Sequence, residues 1–462
     1  MGAPGAAAAR TAQSSQCAVT PGRPEVNDNA AWTSAGVDTS ESAAQARDAA
    51  DPLAQFREHF YVPPGVIYLD GNSLGHLCRE AEEETLKALQ QWKDLAIDGW
   101  LAADPPWFTL GEELGALTAP LLGAEPESVV ITGSTTVNQH ALLATFYRPY
   151  GACRKILATE LDFPSDIYAI QSQIVLHGGD PVEDLVRVPS RDGRTINEDD
   201  IIAALNDDVA LAILPAVLYR SGQLLDMERL AAVARERGIL LGFDCAHSAG
   251  AVPHQFDAWG VDFAFWCSYK YLNAGPGATG GLYVNRKHWK NGPGLAGWWG
   301  HQKDRQFDMR HEFEGAESAG AWQISTPPLL ATAPLRGALR VFHEAGLEAI
   351  RAKSLAQTAY LANMLIATGL TEPPYAFSIG TPSAPEQRGG HLAVEHQEAS
   401  RISRTLRARG IVPDFRAPNV IRLAPVPLYT TYHELWQTVQ ALREMIDLGA
   451  HLQLAEGRDL VA

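Results

Sequence analysis

Cysteine is scarce in this chain of 462 residues: there are five, Cys17, Cys78, Cys153, Cys245 and Cys267, widely spaced and without a CxxC pair. That pattern argues against a disulfide framework or a structural zinc site, and a reducing, cytoplasmic setting is expected. Positive charge is also short. The 37 Lys and Arg are outnumbered by 54 Asp and Glu, giving a formal net charge of −17, and no long basic block relieves the excess. Neither nucleic acid nor an anionic membrane surface is therefore an expected partner. Long apolar runs are missing as well. The longest aliphatic stretch, Val209 to Tyr219, is closed by Asp208 and Arg220 and falls far short of the roughly 20 residues needed to span a bilayer.

Residues 1–50 hold few large aliphatic side chains and are rich in Ala, Gly, Ser, Thr and Asn. We expect a disordered tail there. It lacks the leucine-like block of a signal peptide, and Ala6 stands where a myristoylation site wants Ser or Thr.

From about Phe56 onward, strand and helix signals alternate. Strands are expected at Val129 to Thr132, Lys155 to Thr159, Val209 to Leu214 and Ile239 to Phe243, with helices at Val137 to Tyr147, Ser165 to His177 and Met227 to Arg237. Such alternation implies βαβ units, hence an α/β fold with a mainly parallel central sheet in a large domain, 51–330. Beyond Pro327-Pro328 the pattern becomes helices near Leu335 to Ala345, Leu355 to Ala367, Glu395 to Arg409 and His433 to Leu448, with a short strand at Val420 to Leu423. That predicts a smaller α+β domain over 331–462. No repeat of 20 to 50 residues is present.

Gly275-Pro-Gly-Ala-Thr-Gly280 matches the dinucleotide fingerprint letter by letter, but Gly281 to Asn285 continues as a strand where the fingerprint requires a helix. A tight loop is the better reading. Three strand ends carry more chemistry, because ligands in an open α/β sheet gather at the carboxyl ends of its strands. Ser134-Thr135-Thr136 is a hydroxyl-rich turn at a helix N-terminus, suited to a phosphate, although such a turn is more often just a cap. Phe163-Pro164-Ser165-Asp166 is the second. Asp244-Cys-Ala-His247 is the third, pairing an acid with a nearby imidazole. Downstream, Lys270 is hemmed by Trp266, Tyr269, Tyr271 and Leu272, where a cation is costly to bury; its amine is then available for a Schiff base, unless the side chain simply snorkels to the surface.

A phosphate turn, an aromatic, a strand-end acid and then a lysine, in that order, resemble pyridoxal-phosphate (PLP) enzymes of the aspartate-aminotransferase-like fold, PLP fold type I. Several strings look more specifically like kynureninase. They are Tyr68-Leu-Asp-Gly-Asn-Ser-Leu-Gly75, Phe163-Pro-Ser-Asp166, Phe243-Asp-Cys-Ala-His-Ser-Ala-Gly250, the run Val261 to Gly275, Gly297-Trp-Trp-Gly-His301, Ile324-Ser-Thr-Pro-Pro328 and Ile421-Arg-Leu-Ala-Pro-Val-Pro-Leu-Tyr429. They fall in family order over about residues 55 to 450. The tail lies outside the pattern, and Thr135 departs from the apolar residue the family favours at its position.

The resemblance implies that Lys270 holds PLP as a Schiff base, that Asp244 pairs with its ring nitrogen and that Phe163 stacks on the ring. Thr135, Thr136, Pro164, Ser165, Asp166, His247 and Tyr269 help to hold it. Trp298 and Thr326 reach the cofactor from a partner subunit, which makes the active unit a homodimer. Arg422 takes the substrate α-carboxylate, with Trp100, Ser73 and Asn72 also lining the substrate site; an ordinary ion pair is the plainer role for that arginine. Lys270 and Tyr269 are the expected catalytic pair, with Tyr269 shuttling protons. The reaction implied is hydrolysis of L-kynurenine to anthranilate and L-alanine, within tryptophan degradation or the supply of nicotinamide precursors. Family members favouring the 3-hydroxylated substrate tend to carry His and Asn where this chain has Trp100 and Thr326, so kynurenine is the expected preference. A cysteine desulfurase or aminotransferase on the same fold is the alternative.

Overall fold

A strand buried on both faces must be apolar along its length, and the chain supplies such strands as short β-branched and aromatic runs. The computed structural model describes residues 32, 33, 35–455 and 457. Within them, β1 (Ile67–Tyr68) precedes the large sheet, which comprises β2 (Val129–Ile131), β3 (Lys155–Thr159), β4 (Leu185–Val188), β5 (Val209–Pro215), β6 (Leu240–Asp244), β7 (Phe263–Trp266) and β8 (Gly281–Val284). Their order is β2-β8-β7-β6-β5-β3-β4. Strands β4, β3, β5, β6 and β7 pair in parallel, and β8 runs antiparallel to both β7 and β2. The carboxyl ends of β2, β3, β5, β6 and β7 therefore share one edge of the sheet. One face packs residues such as Leu214, Phe243 and Trp266, and the other Ile213, Phe263 and Phe265, all buried.

The later chain forms β9 (Ser378–Ile379), β10 (Leu392–Glu395), β11 (Ile411–Val412), β12 (Asp414–Arg416) and β13 (Val420–Leu423). Four of these make an antiparallel sheet in the order β12-β13-β10-β9. The helices Leu347–Ala367, Ala399–Ala408 and Tyr432–Asp447 pack with it, the last opened by a capping box between Thr431 and Glu434. Strand β1 joins this body by pairing in parallel with β11, Ile67 opposite Ile411. The helix Leu329–Ala345 turns the other way: its Leu335, Leu339 and Phe342 belong to the large core. No helix among the described residues is long and apolar enough to cross a membrane.

Two expectations need correction. Part of the expected tail is a helix, Glu41–Ala49, N-capped by Ser40. It is docked because the Asp48 carboxylate accepts from the backbone N–H groups of Tyr432 (2.6 Å) and His433 (2.9 Å), and its own Ala44 is buried in the smaller core. Residues 1–31 and 34 of that tail lie outside the described residues. Glu395, expected to begin a helix, instead ends β10 opposite Val420, and its carboxylate takes two bonds from Arg194 at 2.6 and 3.0 Å; the helix starts only at Ala399.

Candidate active site

Each strand end at the shared edge presents a different polar group. After β2, Gly133 adopts a left-handed φ of 56° and turns the chain into the helix Thr135–Phe146. Its N-cap Ser134 makes no side-chain cap bond, so the first N–H groups are free for an anion. After β3, Phe163 caps the helix Pro164–Leu176. Phe163 is 41% exposed, and its ring meets Tyr219 edge-on, at 5.2 Å between centroids. Pro164, Ser165 and Asp166 form the first turn, which carries Asp166 inward to a buried position.

Asp166 and Asp244 share a hydrogen bond. Burial, then the Asp244 charge, holds the Asp166 carboxyl well above the carboxylate range. Asp244 is raised by burial but drawn back by Lys270, by the Ala246 N–H at 2.8 Å and by Asp166. These neighbours favour the proton of the pair on Asp166 and the negative charge on Asp244. Behind them, burial pushes the Asp162 carboxyl up to about 7.

Lys270, in the loop after β7, is half-buried, with Nζ 3.0 Å from His247 Nε2. Desolvation, then the Lys270 and Arg422 charges, holds His247 neutral, and its Nδ1 is buried without a partner. Gly75 locks this loop to the N-terminal segment by donating its N–H to the Tyr269 carbonyl at 2.8 Å. A Cβ on Gly75 would stand 2.5 Å from the Lys270 carbonyl oxygen and 2.1 Å from Asn273 Oδ1, so only glycine permits that approach. Burial, then Cys267, raises the Tyr269 phenol, which keeps it protonated.

Arg422 comes from the smaller body. The β12–β13 hairpin sets Asp414 directly opposite it, and both residues are buried. The Asp414 carboxylate accepts from Arg422 Nε and Nη2. Arg422 Nη1 donates to the Tyr219 carbonyl at 2.7 Å and Nη2 to Ser73 Oγ at 3.1 Å. Ser73 reaches it because β1 continues into a bridge between Asp70 and Ala424. Asn72 is fully buried with both amide atoms unpartnered, as expected of a group that completes its bonds on a ligand. Burial, then Asp414, pushes the Asp70 carboxyl up to about 6.

Not all the expected residues meet. Trp100 and Trp298 both contact Trp299, at 5.2 and 5.8 Å between centroids, and Thr326 is exposed two residues beyond Ile324, against which Gly297 packs. Among the described contacts none joins these three to Lys270. Sequence reasoning missed Asp414, His391, Tyr219 and Asp162. The pairing of residues 414 and 422 about the Ala417-Pro418-Asn419 turn was the one available signal.

Pyridoxal phosphate fits these groups. The open helix N-terminus suits its phosphate, the Asp244 carboxylate its ring nitrogen and the exposed Phe163 its ring face; His247 sets Nε2 beside the amine that would hold it and keeps Nδ1 buried and unpartnered.

The comparisons agree with that fit. The family model described as kynureninase C-terminal domain matches residues 350–442, and that of the DegT/DnrJ/EryC1/StrS aminotransferase family matches residues 107–259. Among solved structures, a C-DES variant with glycine covalently linked to the PLP cofactor superposes with a TM-score of 0.72 at 21% identity, covering 84% of this chain and 98% of that one. A cysteine desulfurase from Thermococcus onnurineus NA1 superposes with a TM-score of 0.72 at 17% identity, covering 85% and 98%. At such identities they establish the fold, PLP fold type I. Curated relatives go further. Proteins named kynureninase from Geobacillus thermodenitrificans and Bacillus anthracis are 55% and 57% identical over 415 residues, 90% of this chain and 96% of each relative. With that identity running almost end to end through the relatives, the chain belongs to the kynureninase family.

Proposed function

We propose that this protein is a PLP-dependent hydrolase that cleaves the Cβ–Cγ bond of L-kynurenine to give anthranilate and L-alanine. The observation that carries the reading is the approach of Lys270 Nζ to His247 Nε2 at 3.0 Å, at the strand ends of a chain that is 55–57% identical to proteins named kynureninase. When bound, the cofactor supplies an electron sink for negative charge at the substrate's α- and β-carbons. Asp244, with its proton partner Asp166, would face the ring nitrogen; Phe163 would cover the ring, and Thr135 and Thr136 would meet the phosphate. Lys270 would hold the cofactor and move the proton at Cα. Arg422, oriented by Asp414, would take the α-carboxylate beside Ser73 and Asn72. Incubation with L-kynurenine and PLP should release fluorescent anthranilate and alanine in equal amounts; neither product would appear if the reading were wrong.

Tyr269 is the proposed proton donor at the carbonyl and β-carbon. Its protonated phenol lies next to Lys270 and beside the phosphate turn, where Thr135 approaches the shared neighbour Cys267. Tyr269→Phe should retain PLP yet lose about 10²-fold or more in kcat, the scale of general acid catalysis. Full turnover by that variant would remove the assignment.

The cysteine-desulfurase alternative needs a reactive thiol. Cys245 and Cys267 are buried, and burial raises both thiols above their ordinary range, the state of an inert cysteine.

Kynurenine is the proposed preference over 3-hydroxykynurenine. Trp100 and Thr326 offer a ring hydroxyl poorer partners than His and Asn would, and an unpaired buried hydroxyl is unfavourable. The double variant Trp100→His, Thr326→Asn should shift the kcat/KM ratio toward the hydroxylated substrate by about tenfold; an unchanged ratio counts against these two positions. A homodimer is part of this proposal. Trp298, Phe307 and Met309 are 46%, 65% and 69% exposed, an apolar surface that a second subunit would cover. A cytoplasmic location suits the four cysteines that are free among the described residues, Cys78, Cys153, Cys245 and Cys267.

A further inference from the structure

His391 immediately precedes β10 and is fully buried, and neither of its ring nitrogens has a hydrogen-bond partner. An imidazole kept there without partners is costly. Its Nε2 edge lies against the 220–222 turn: a Cβ on Gly222 would stand 3.2 Å from that nitrogen, and the Arg220 backbone approaches it without a well-formed bond. The ring faces His247 at 6.0 Å between centroids, tilted by 60°. His247 in turn has Nε2 on Lys270 and a buried, unpartnered Nδ1. Two buried histidines thus adjoin, each with an unused nitrogen, at a separation that one bridging water or a small ring rotation spans. Burial, then the charges of Arg422, Lys270 and Arg416, all cations, disfavours a positive charge on His391 and keeps the imidazole neutral. A neutral imidazole has one donor and one acceptor nitrogen and can serve His247 in either tautomer.

We propose that His391 is a positioning residue for the cofactor lysine: it partners His247 Nδ1, and so fixes the tautomer and ring orientation that His247 presents to Lys270 Nζ. Nothing in the strings that resemble kynureninase marks it, and the role proposed for Lys270 does not require it. The inference rests on the reading of Lys270 as the residue that holds PLP.

The test uses the full-length holoenzyme with His391→Met, similar in volume but apolar, and His391→Gln, which retains a donor and an acceptor. The visible absorbance of the lysine-linked cofactor is titrated against pH, and kcat and KM are measured separately. The methionine variant should keep a borohydride-sensitive cofactor, shift the titration midpoint by about half a unit or more, and lose about tenfold in kcat with KM within about threefold. Glutamine should restore the midpoint and most of kcat. An unmoved midpoint in the methionine variant overturns the proposal, as does a glutamine variant equally impaired, since both mark a packing role. If the methionine variant does not fold, the unsubstituted enzyme decides through its histidine ¹⁵N spectrum. A single His247 tautomer with a slowly exchanging ring N–H supports the proposal, and interconverting tautomers overturn it. Absence of borohydride-sensitive absorbance from the unsubstituted enzyme would overturn the Lys270 reading itself, an outcome distinct from failure of the His391 role alone.

Discussion

Replacing Lys270 with alanine should lower kcat by about 10⁴-fold or more and abolish the borohydride-sensitive absorbance of the protein. The effect is large because one amine has two roles, covalent attachment of the cofactor and carriage of the Cα proton, and both end with it. Among the described contacts no other lysine reaches His247; Lys303 is held by the Trp299 carbonyl at 2.9 Å and Lys353 by Asp51 at 2.6 Å, each committed elsewhere. The fold should survive. Lys270 is half-buried, and its side chain bonds only His247 among the described contacts, so thermal unfolding should shift by a few degrees at most. Turnover within tenfold of the unsubstituted enzyme would contradict the assignment.

Replacing Arg422 with methionine should act on both stability and function. Asp414 is buried with Arg422 as its opposite charge, and leaving one partner of a buried pair alone costs about 3–5 kcal/mol. Arg416 also donates to Asp414, at 3.0 Å, which places the expected loss toward the lower end. The double variant Arg422→Met, Asp414→Asn removes the orphaned charge and should recover most of that stability, as read by denaturant midpoints. It should not recover substrate binding. Loss of charge-assisted bonds to the α-carboxylate should raise KM by about tenfold to 100-fold. Recovery of both would make Arg422 a purely structural residue.

The site was legible in the sequence where its chemistry is local. Strands β3 and β13 fall within their expected bounds, and the groups at the strand ends stand in short strings, because a turn, a cap and a strand-end acid are decided by a few neighbouring residues. What was not legible depends on distant pairing. Asp414 meets Arg422 through hairpin register, Ser73 meets it because β1 pairs with β11, and His391 meets His247 only once the two bodies fold together. The helix Glu41–Ala49 carries little hydrophobic signal, being Ala-rich and held largely by Asp48 bonding to a helix N-terminus nearly 400 residues away. Glu395 was misread for a similar reason: its partner, Arg194, lies about 200 residues earlier.

Charge shows the same division between local and global. The chain is acidic by 17, yet Arg407, Arg416 and Arg422 gather around Asp70 and Asp414 in the candidate site. On the proposed reading, an anionic substrate and cofactor would meet local cations and an open helix N-terminus that the net charge conceals.

The central claim is that Lys270 carries pyridoxal phosphate, and reductive trapping tests it most directly. Borohydride treatment of the PLP-loaded protein, followed by proteolysis and peptide mass analysis, should bleach the yellow colour and place a reduced phosphopyridoxyl group on the peptide containing Trp266-Cys-Ser-Tyr-Lys270. A modified lysine at any other position, or no trapped cofactor at all, would contradict the account.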